Sequence, residues 1–199
     1  MTFIALLLKL TYFMLPAYFA NMAPVFAKHI FSRKLLSPID LGKEVGGHPI
    51  FGKHKTFGGF IFGVFMGIVT GYIQFALYPH LKDFCLVDYS ALWMQVGFLM
   101  GLGAITGDLI ESFFKRQLNY RSGKPWLPYD EVDFSIGALL FVSPIYFPGW
   151  INSGLILLLS MVGDVLVGWV GYLLHIRKKS DIVDLYSVLS KISKRFRGS

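Results

Sequence analysis

Residues 91–116 read ALWMQVGFLMGLGAITGDLIESFFKR, and this stretch decides the class of the fold. No charged residue occurs in it before Asp108, and the positions from there onward carry two acids and two bases. An apolar helix of about 20 residues crosses the ~30 Å hydrocarbon core of a bilayer. The stretch therefore predicts a transmembrane helix that ends in a charged group of side chains.

The composition extends this interpretation to the whole chain, because 54% of its 199 residues are hydrophobic and only 16% are charged. Soluble domains have about 25% charged residues, so the numbers disfavour both a soluble globule and a disordered chain. Five segments are apolar enough to span, and Pro144 and Pro148 make the fourth the weakest. They are residues 3–28, 56–78, 91–114, 134–150 and 153–175. We predict an all-α, polytopic membrane protein with five transmembrane helices.

The basic residues predict an orientation. The net charge is +7, and 17 of the 19 lysines and arginines fall within residues 28–55, 115–124 and 177–197. Basic loops stay on the cytoplasmic side of a membrane, so we predict the N-terminus outside and the C-terminus in the cytoplasm. The protein is expected in the cell (plasma) membrane, with its site facing the cytoplasm. In so apolar a chain, the positive charge favours membrane lipids over nucleic acid as the partner.

We divide the chain into a transmembrane domain and a basic tail. The domain covers residues 1–178, carries the predicted site and has cytoplasmic loops at 29–55 and 115–133. In the tail, residues 179–199, apolar side chains recur at helical spacing between basic ones. This pattern favours an amphipathic helix on the inner leaflet over a solvated basic tail.

Two of the predicted spans carry glycines at four-residue spacing, which lets helices approach each other closely. These are Gly59, Gly63, Gly67 and Gly71 in the second span, and Gly97 and Gly101 in the third. The rows are open to two interpretations, a homodimer interface or helix packing within one chain, and the second is favoured.

Two pairs of acidic residues mark the predicted site, because charges inside a membrane are costly and usually functional. Asp108 and Glu111 share one face of the third span, and Asp130 and Asp133 have the same i, i+3 spacing before the fourth. Four clustered carboxylates suit a Mg²⁺ ion, which prefers oxygen ligands. The alternative is that the acids and bases at these helix ends only pair with one another.

Basic and glycine-rich segments beside the acids suit phosphate oxygens. Lys115 and Arg116 follow the first acidic pair by one turn. In the first loop, residues 50–59 read IFGKHKTFGG, where glycines free the backbone and Lys55 and Thr56 offer an ammonium and a hydroxyl. The glycine spacing of a Walker loop is missing. Thr56 begins the second span, so the N-terminus of that helix also favours an anion here.

Together these motifs resemble the CDP-archaeol synthase family, membrane cytidylyltransferases that are related to CDP-diglyceride synthases. The resemblance covers roughly residues 10–175. Its segments are LPAYFANMAP at 15–24, PID at 38–40, GKHKT at 52–56, GDLIESFFKR at 107–116 and YDEVDF at 129–134. The chain departs from the family at Phe57-Gly58, where Trp-Arg is common, and at Glu131, where Gln is usual.

The resemblance implies that CMP passes from CTP to a membrane lipid phosphate, archaetidic-acid-like or phosphatidic-acid-like, with Mg²⁺ as cofactor and pyrophosphate as leaving group. It implies that Asp108 and Asp133 bind the metal. The implied catalytic residues are Asp108, Glu111, Lys115, Arg116, Asp130 and Asp133. The implied nucleotide-binding residues are Asn21, Pro24, Asp40, Lys55, Thr56 and Gly59.

Two other functions compete with this one. A small channel or transporter for anionic solutes would use the same basic loops, but it needs a polar track across several spans. Asp164 and a few hydroxyls are all that the spans offer, and Asp164 is better interpreted as a structural partner inside the bundle. A CDP-alcohol phosphotransferase would need an Asp-Gly signature, and no Asp-Gly pair occurs in the sequence. The cytidylyltransferase is therefore favoured.

Overall fold

The computed structural model describes residues 2–32, 34–120, 126 and 129–173, without the side chains of 28, 29 and 164–173. Residues 1–160 form one compact unit, and residues 161–199 belong to a second. The packing and the site described below lie in the first unit. The predicted tail helix at 179–199 and the side chain of Asp164 lie outside the described residues.

The fold is all-α, as predicted. Its helices are α1 (Phe3–Ile30), α2 (Phe57–Leu81), α3 (Tyr89–Gln117), α4 (Asp133–Val142) and α5 (Trp150–Leu173). Short 3₁₀ turns lie at Lys82–Phe84, after α2, and at Tyr129–Glu131, before α4. The loop between α1 and α2 also contains an antiparallel hairpin that the sequence did not predict, formed by β1 (Glu44–Val45) and β2 (His48–Pro49).

Three helices of the described chain are long and apolar enough to cross a membrane. They cover Phe3–Ala27, Phe57–Phe84 and Tyr89–Gln117, with 25, 28 and 29 residues. α4 has only 10 residues, or ~15 Å of helix rise, although a span was predicted over 134–150. Pro144 and Pro148 account for the early end, since a proline has no backbone N–H to donate to the hydrogen bonds of a helix. The count of five spans and their orientation stay predictions.

Side-chain caps define where α2 and α3 begin. The Thr56 hydroxyl oxygen accepts the N–H of Gly59 at 3.1 Å, and an Asp88 carboxylate oxygen accepts the N–H of Ser90 at 3.0 Å. Each cap satisfies an N–H that has no partner within the helix. The cap at Thr56 places the N-terminus of α2 directly after Lys55, as the sequence predicted.

The predicted glycine rows bring α2 and α3 into backbone contact. A Cβ atom added at Gly67 would lie 2.6 Å from the carbonyl oxygen of Gly97 and 2.7 Å from Cα of Gly101. A Cβ atom at Gly71 would lie 2.5 Å from the carbonyl oxygen of Trp93. These separations are shorter than any normal contact, so a side chain at these positions would drive the helices apart. The rows therefore pack within one chain, which is the interpretation that the sequence favoured.

A second glycine contact joins α3 to α4. A Cβ atom at Gly137 would lie 3.0 Å from Cα of Gly107 and would overlap the carbonyl oxygen of Gly103. A Cβ atom at Gly107 would likewise overlap the carbonyl oxygen of Asp133. The contact holds the first residue of α4, Asp133, against the end of α3 that carries Asp108.

Buried hydroxyls fix the other side of α4. Ser135 donates a hydrogen bond from its Oγ to Oγ of Ser160, in the first half of α5, at 2.7 Å. The hydroxyl of Tyr18 on α1 lies 3.1 Å from the same Ser160 oxygen. Because these polar atoms satisfy one another away from water, they favour one packing of α4 over others.

Candidate active site

Three of the predicted acids converge where α3 meets α4, and we call Asp108, Glu111 and Asp133 the acidic group. One carboxylate oxygen from each lies within 4.8 Å of the other two. Asp108 and Glu111 come from successive turns of α3, and the α3–α4 glycine contact brings Asp133 alongside them. An all-oxygen donor set of this kind fits a hard cation such as Mg²⁺. Glu111 thus joins Asp108 and Asp133, the two residues that the resemblance implies as metal ligands.

The fourth predicted acid, Asp130, orients a lysine. Nζ of Lys115 lies 2.7 Å from Oδ2 of Asp130 and 2.9 Å from Oε1 of Glu111. The same Asp130 oxygen accepts the backbone N–H of Trp126 at 2.9 Å. Burial alone would raise the pKa of Asp130, but its hydrogen bonds with Glu111, Lys115 and the Trp126 amide hold that pKa below its usual range. Asp130 is therefore an anion that holds the Lys115 ammonium in place.

Lys55, from the loop between α1 and α2, pairs with Asp108. Its Nζ lies 2.5 and 2.6 Å from the two carboxylate oxygens. An ammonium in this position and a metal ion in the acidic group would compete for the same oxygens. The sequence left open that acids and bases at these helix ends only pair with one another. Such ion pairs do form, and they occur together with the acidic group. Within the described part of the chain, Asp133 forms no ion pair of its own.

A cavity of about 270 Å³ connects these charges. All six predicted catalytic residues line it, together with Lys55. Phe51, His54 and Ser112 line it as well, and the sequence did not assign them to the site. Nε of Arg116 is buried here with no hydrogen-bond partner among the described residues, so the guanidinium is available to an anion.

A smaller neighbouring cavity, of about 50 Å³, collects four of the six predicted nucleotide-binding residues, which are Pro24, Lys55, Thr56 and Gly59. His54, Lys55 and Asp108 line both cavities, so the two adjoin. A Cβ atom at Gly59 would lie 3.2 Å from Cβ of Pro24, so the glycine keeps this space open between α1 and α2. Asn21, three residues before Pro24, is not among the residues that line either cavity.

Asp40, the remaining predicted nucleotide contact, uses its carboxylate to fold the loop. It accepts backbone N–H groups from Gly42 at 3.0 Å, Phe51 at 3.0 Å and Gly52 at 2.8 Å. Burial would raise the pKa of Asp40, and the three amides more than offset this and lower it. The backbone at Gly52 has a φ of +89°, and a Cβ atom there would lie 3.5 Å from Cδ of Arg116. Asp40 thus shapes the loop beside Arg116, a role that the sequence could not show because backbone donors leave no motif.

Gly58 accounts for one departure from the resembled family. Its N–H donates to the carbonyl oxygen of Leu35 at 2.6 Å, and a Cβ atom would lie 2.9 Å from that oxygen. An arginine at this position would push the loop away from the start of α2. The close approach of the loop therefore requires glycine here.

Comparisons with known proteins show which proteins the chain is similar to. A family model described as CarS-like, CDP-archaeol synthase, matches residues 3–180. A CDP-archaeol synthase of Pyrococcus furiosus is 39% identical over 164 residues, which cover 82% of this chain and 89% of that protein. One of Methanopyrus kandleri is 33% identical over 171 residues, covering 84% and 89%. A solved structure of an intramembrane enzyme for archaeal membrane lipid biosynthesis superposes with a TM-score of 0.68 at 25% identity, over 81% of this chain and 93% of that one.

Proposed function

Because the chain belongs to the CDP-archaeol synthase family, we propose that it transfers CMP from CTP to archaetidic acid, forming CDP-archaeol and pyrophosphate. It is an integral membrane protein, and the enzyme class is a CTP-dependent nucleotidyltransferase. One observation carries the proposal: the carboxylates of the acidic group meet Lys55, Lys115 and Arg116 in a single cavity at one end of the apolar helices.

The reaction depends on the positioning of the two substrates and on the neutralisation of their negative charge, and it depends less on proton transfer. A bond forms between an oxygen of the lipid phosphate and the α-phosphorus of CTP, and the bond from that phosphorus to the oxygen shared with the β-phosphate breaks. A phosphate monoester is mostly a dianion at neutral pH, since its second pKa is about 6. The nucleophile therefore needs no general base, and the site must bring two anions together.

The basic side chains supply the positive charge for this step. Lys115, held by Asp130, offers a fixed ammonium to phosphate oxygens, and Arg116 offers a planar fork that can bind two oxygens at once. Lys55 and the N-terminus of α2 lie beside the smaller cavity and favour the triphosphate. The acidic group would hold Mg²⁺, which when bound neutralises charge on the triphosphate oxygens.

The position of the site suits substrates that come from different phases. CTP arrives from water, whereas the reacting phosphate of the lipid lies at the surface of the bilayer. The cavity lies at the end of α3, where an apolar helix gives way to charged residues. The basic loops favour the cytoplasm as the side from which CTP enters.

The experiment is an assay of purified protein with labelled CTP, Mg²⁺ and a panel of lipid phosphates that differ in backbone and chains. CDP-archaeol and pyrophosphate should form in equal amounts from archaetidic acid. Asp108→Asn and Asp133→Asn should each lower the rate by at least about 100-fold, because each removes a charge from the metal-binding group. Asp83→Asn, an exposed residue in the 3₁₀ turn after α2, is the matched control and should keep the wild-type rate. Failure of the wild type to form any CDP-lipid would overturn the proposal.

A further inference from the structure

Leu41 lies in the loop between α1 and α2 with a backbone conformation that is unusual for a leucine. Its φ is 51°, and that of the next residue, Gly42, is 75°. The N–H of Lys43 donates to the carbonyl oxygen of Asp40 at 2.8 Å, so residues 40–43 form a tight turn whose two central residues both have positive φ. Turns of this kind favour asparagine, aspartate or glycine at the first central position. A leucine at this position destabilises the turn, because its Cβ atom crowds the backbone.

The side chain of Leu41 makes little contact with the described part of the protein. It is 66% exposed and is not among the residues that form the apolar core or pack against it. The turn is held instead by the buried carboxylate of Asp40, which accepts the N–H of Gly42 at 3.0 Å. An asparagine or a glycine at position 41 would leave this hydrogen bond intact. We therefore expect the benefit of a leucine to come from a partner outside the described residues.

The loop lies at the level where the apolar helices end. It begins after Ile30, the last residue of α1, and ends at Phe57, the first residue of α2. Its second half contacts the end of α3, because a Cβ atom at Gly52 would lie 3.5 Å from Cδ of Arg116. In the described chain, α1, α2 and α3 are the helices that are long and apolar enough to cross a membrane. The ends of such helices lie at the lipid headgroups, so the bilayer is the apolar phase nearest to Leu41.

The exposed charges of this loop are mostly positive. Lys34, Lys43 and Lys53 are exposed, and the one exposed acid among the described residues of the loop is Glu44. Lysines close to a membrane surface are attracted to anionic lipid headgroups. Val45, which is 50% exposed, adds a second apolar side chain to the same part of the loop. Apolar side chains beside basic ones are typical of segments that bind at the interface between lipid and water.

We propose that the turn at residues 40–43 binds the surface of the lipid bilayer, with the side chain of Leu41 among the headgroups and the ammonium of Lys43 at their anionic groups. Transfer of the Leu41 side chain out of water stabilises the bound turn and offsets the cost of its left-handed backbone. The partner is the bulk lipid of the membrane, whichever lipid phosphate the enzyme uses as its substrate. Failure of this proposal would therefore leave the proposed function unaffected.

Binding of the turn to the bilayer restrains the segment that carries Lys55. The Asp40 carboxylate also accepts the N–H groups of Phe51 and Gly52, at 3.0 and 2.8 Å. Gly52 is three residues before Lys55, whose ammonium contacts Asp108. A turn that is fixed at the membrane surface therefore limits how far Lys55 moves away from α3.

A fluorescent probe at position 41 tests the proposal. Cys85 is the one cysteine of the sequence, so Leu41→Cys in a Cys85→Ser background allows labelling with the environment-sensitive fluorophore NBD at a single site. The labelled protein is reconstituted into vesicles of phosphatidylcholine and phosphatidylglycerol. Lipids that carry a nitroxide near the headgroup should lower the fluorescence several-fold, whereas iodide in the water should lower it little. Leaving out phosphatidylglycerol should weaken the quenching by the nitroxide lipids, because Lys43 then has no headgroup of net negative charge to bind.

Glu44→Cys in the same background is the matched control, because Glu44 is exposed in the same loop and its carboxylate is repelled by anionic headgroups. A probe at position 44 should be quenched by iodide and little by the nitroxide lipids. The same result at position 41 would overturn the proposal. A probe at position 41 that neither quencher reaches would overturn it as well, because Leu41 would then contact protein instead of lipid.

A second variant keeps the proposal testable if the label disturbs the turn. Leu41→Asn removes the apolar side chain but suits a positive φ, so the turn should keep its conformation. In the same vesicles, the backbone amides of residues 42–52 should exchange hydrogen several-fold faster in Leu41→Asn than in the wild type. Leu41→Met, which keeps an apolar side chain, should retain the wild-type rate. Equal exchange rates in Leu41→Asn and the wild type would contradict the binding of this turn to lipid.

Discussion

The positive charge of Lys55 can be paired with either of two partners, the carboxylate of Asp108 or the triphosphate of the nucleotide. In this structure its ammonium contacts both carboxylate oxygens of Asp108, and in the proposed reaction it binds the triphosphate. A metal ion held by Asp108 would displace the ammonium, and the displaced ammonium is then available to phosphate oxygens. Binding of the metal and of the nucleotide should therefore each strengthen the other.

Lys55→Met should separate these two effects. Without nucleotide, Mn²⁺ used as a probe should bind several-fold more tightly, because no ammonium competes for Asp108. CTP should bind at least about tenfold more weakly, since a hydrogen bond to a charged group contributes about 1.5–3 kcal/mol. Calorimetry on the purified protein measures both affinities.

The control for this prediction is Lys53→Met, which removes an exposed lysine from the same loop and should alter both affinities little. If Lys55→Met left Mn²⁺ affinity at the wild-type value, Lys55 would not be competing with the metal.

Single residues show how far the sequence could predict the site. The sequence was enough to predict that Asp108, Glu111 and Asp133 meet. Helix geometry puts Asp108 and Glu111 on one face, and the predicted ends of the spans put Asp133 at the same surface of the membrane. The spacing of the residues alone could not separate Asp130 from the acidic group, since its role depends on the backbone N–H of Trp126 and on Lys115. Hydrogen bonds from the backbone have no residue type of their own and so remain invisible in a sequence.

At the scale of elements, glycine contacts decide where each helix lies. α3 meets α2 through Gly97 and Gly101, and it meets α4 through Gly103 and Gly107. Because Asp133 begins α4, the second contact also determines the geometry of the acidic group. Packing between helices and the chemistry of the site are therefore linked through α4.

Gly137→Ala tests this link. The added methyl group would overlap the carbonyl oxygen of Gly103, so we expect a loss of stability of about 1–3 kcal/mol and a lower melting temperature in detergent. Activity should fall as well, because α4 must shift and carries Asp133 with it.

Gly154→Ala is the matched control, since a Cβ atom at Gly154 of α5 has nothing within 4 Å. It should keep full activity and hold or raise the melting temperature, because alanine favours a helix over glycine by about 1 kcal/mol. Equal melting temperatures for the two variants would contradict the role given to the α3–α4 contact.

The sequence predicted the packing of α2 and α3 correctly, but it did not predict the short length of α4 or the β1–β2 hairpin, and each outcome has a physical reason. Glycine rows at four-residue spacing predicted close packing, because the spacing itself puts them on one helix face. The short α4 was harder, since hydropathy averages over residues 134–150 while Pro144 and Pro148 end the helix early. The β1–β2 hairpin has two residues in each strand, which is too short for any alternation of polar and apolar residues to show.

At the scale of the whole molecule, the composition and the long apolar segments predicted the class of the fold. The length that a spanning segment needs is determined by the thickness of the bilayer and depends little on which apolar residues it contains. Orientation rests on a different physical basis, the distribution of lysine and arginine between loops. No contact inside the protein reports which side faces the cytoplasm, so the orientation needs an experiment.

Cysteine labelling in intact cells supplies that experiment. In a Cys85→Ser background, Asp83→Cys lies in the turn after α2, and Lys53→Cys lies in the loop before it. A membrane-impermeant maleimide should label Asp83→Cys in intact cells, and should label Lys53→Cys only after permeabilisation. The reverse pattern would place the site on the outer face and contradict the predicted orientation.

The backbone contacts on two sides of α3 also have a consequence for motion. A helix that touches its neighbours without intervening side chains cannot rotate or slide without steric overlap, so α2, α3 and the start of α4 should move as one body. The loop that carries Lys55 reaches α3 through side chains, which include the ion pair of Lys55 with Asp108 and a hydrogen bond from Nε2 of Gln117 to the carbonyl oxygen of Pro49. Contacts of this kind can break and reform. We therefore expect the conformational change of each catalytic cycle to be an opening and closing of this loop, on the microsecond-to-millisecond timescale of such motions, over helices that stay still.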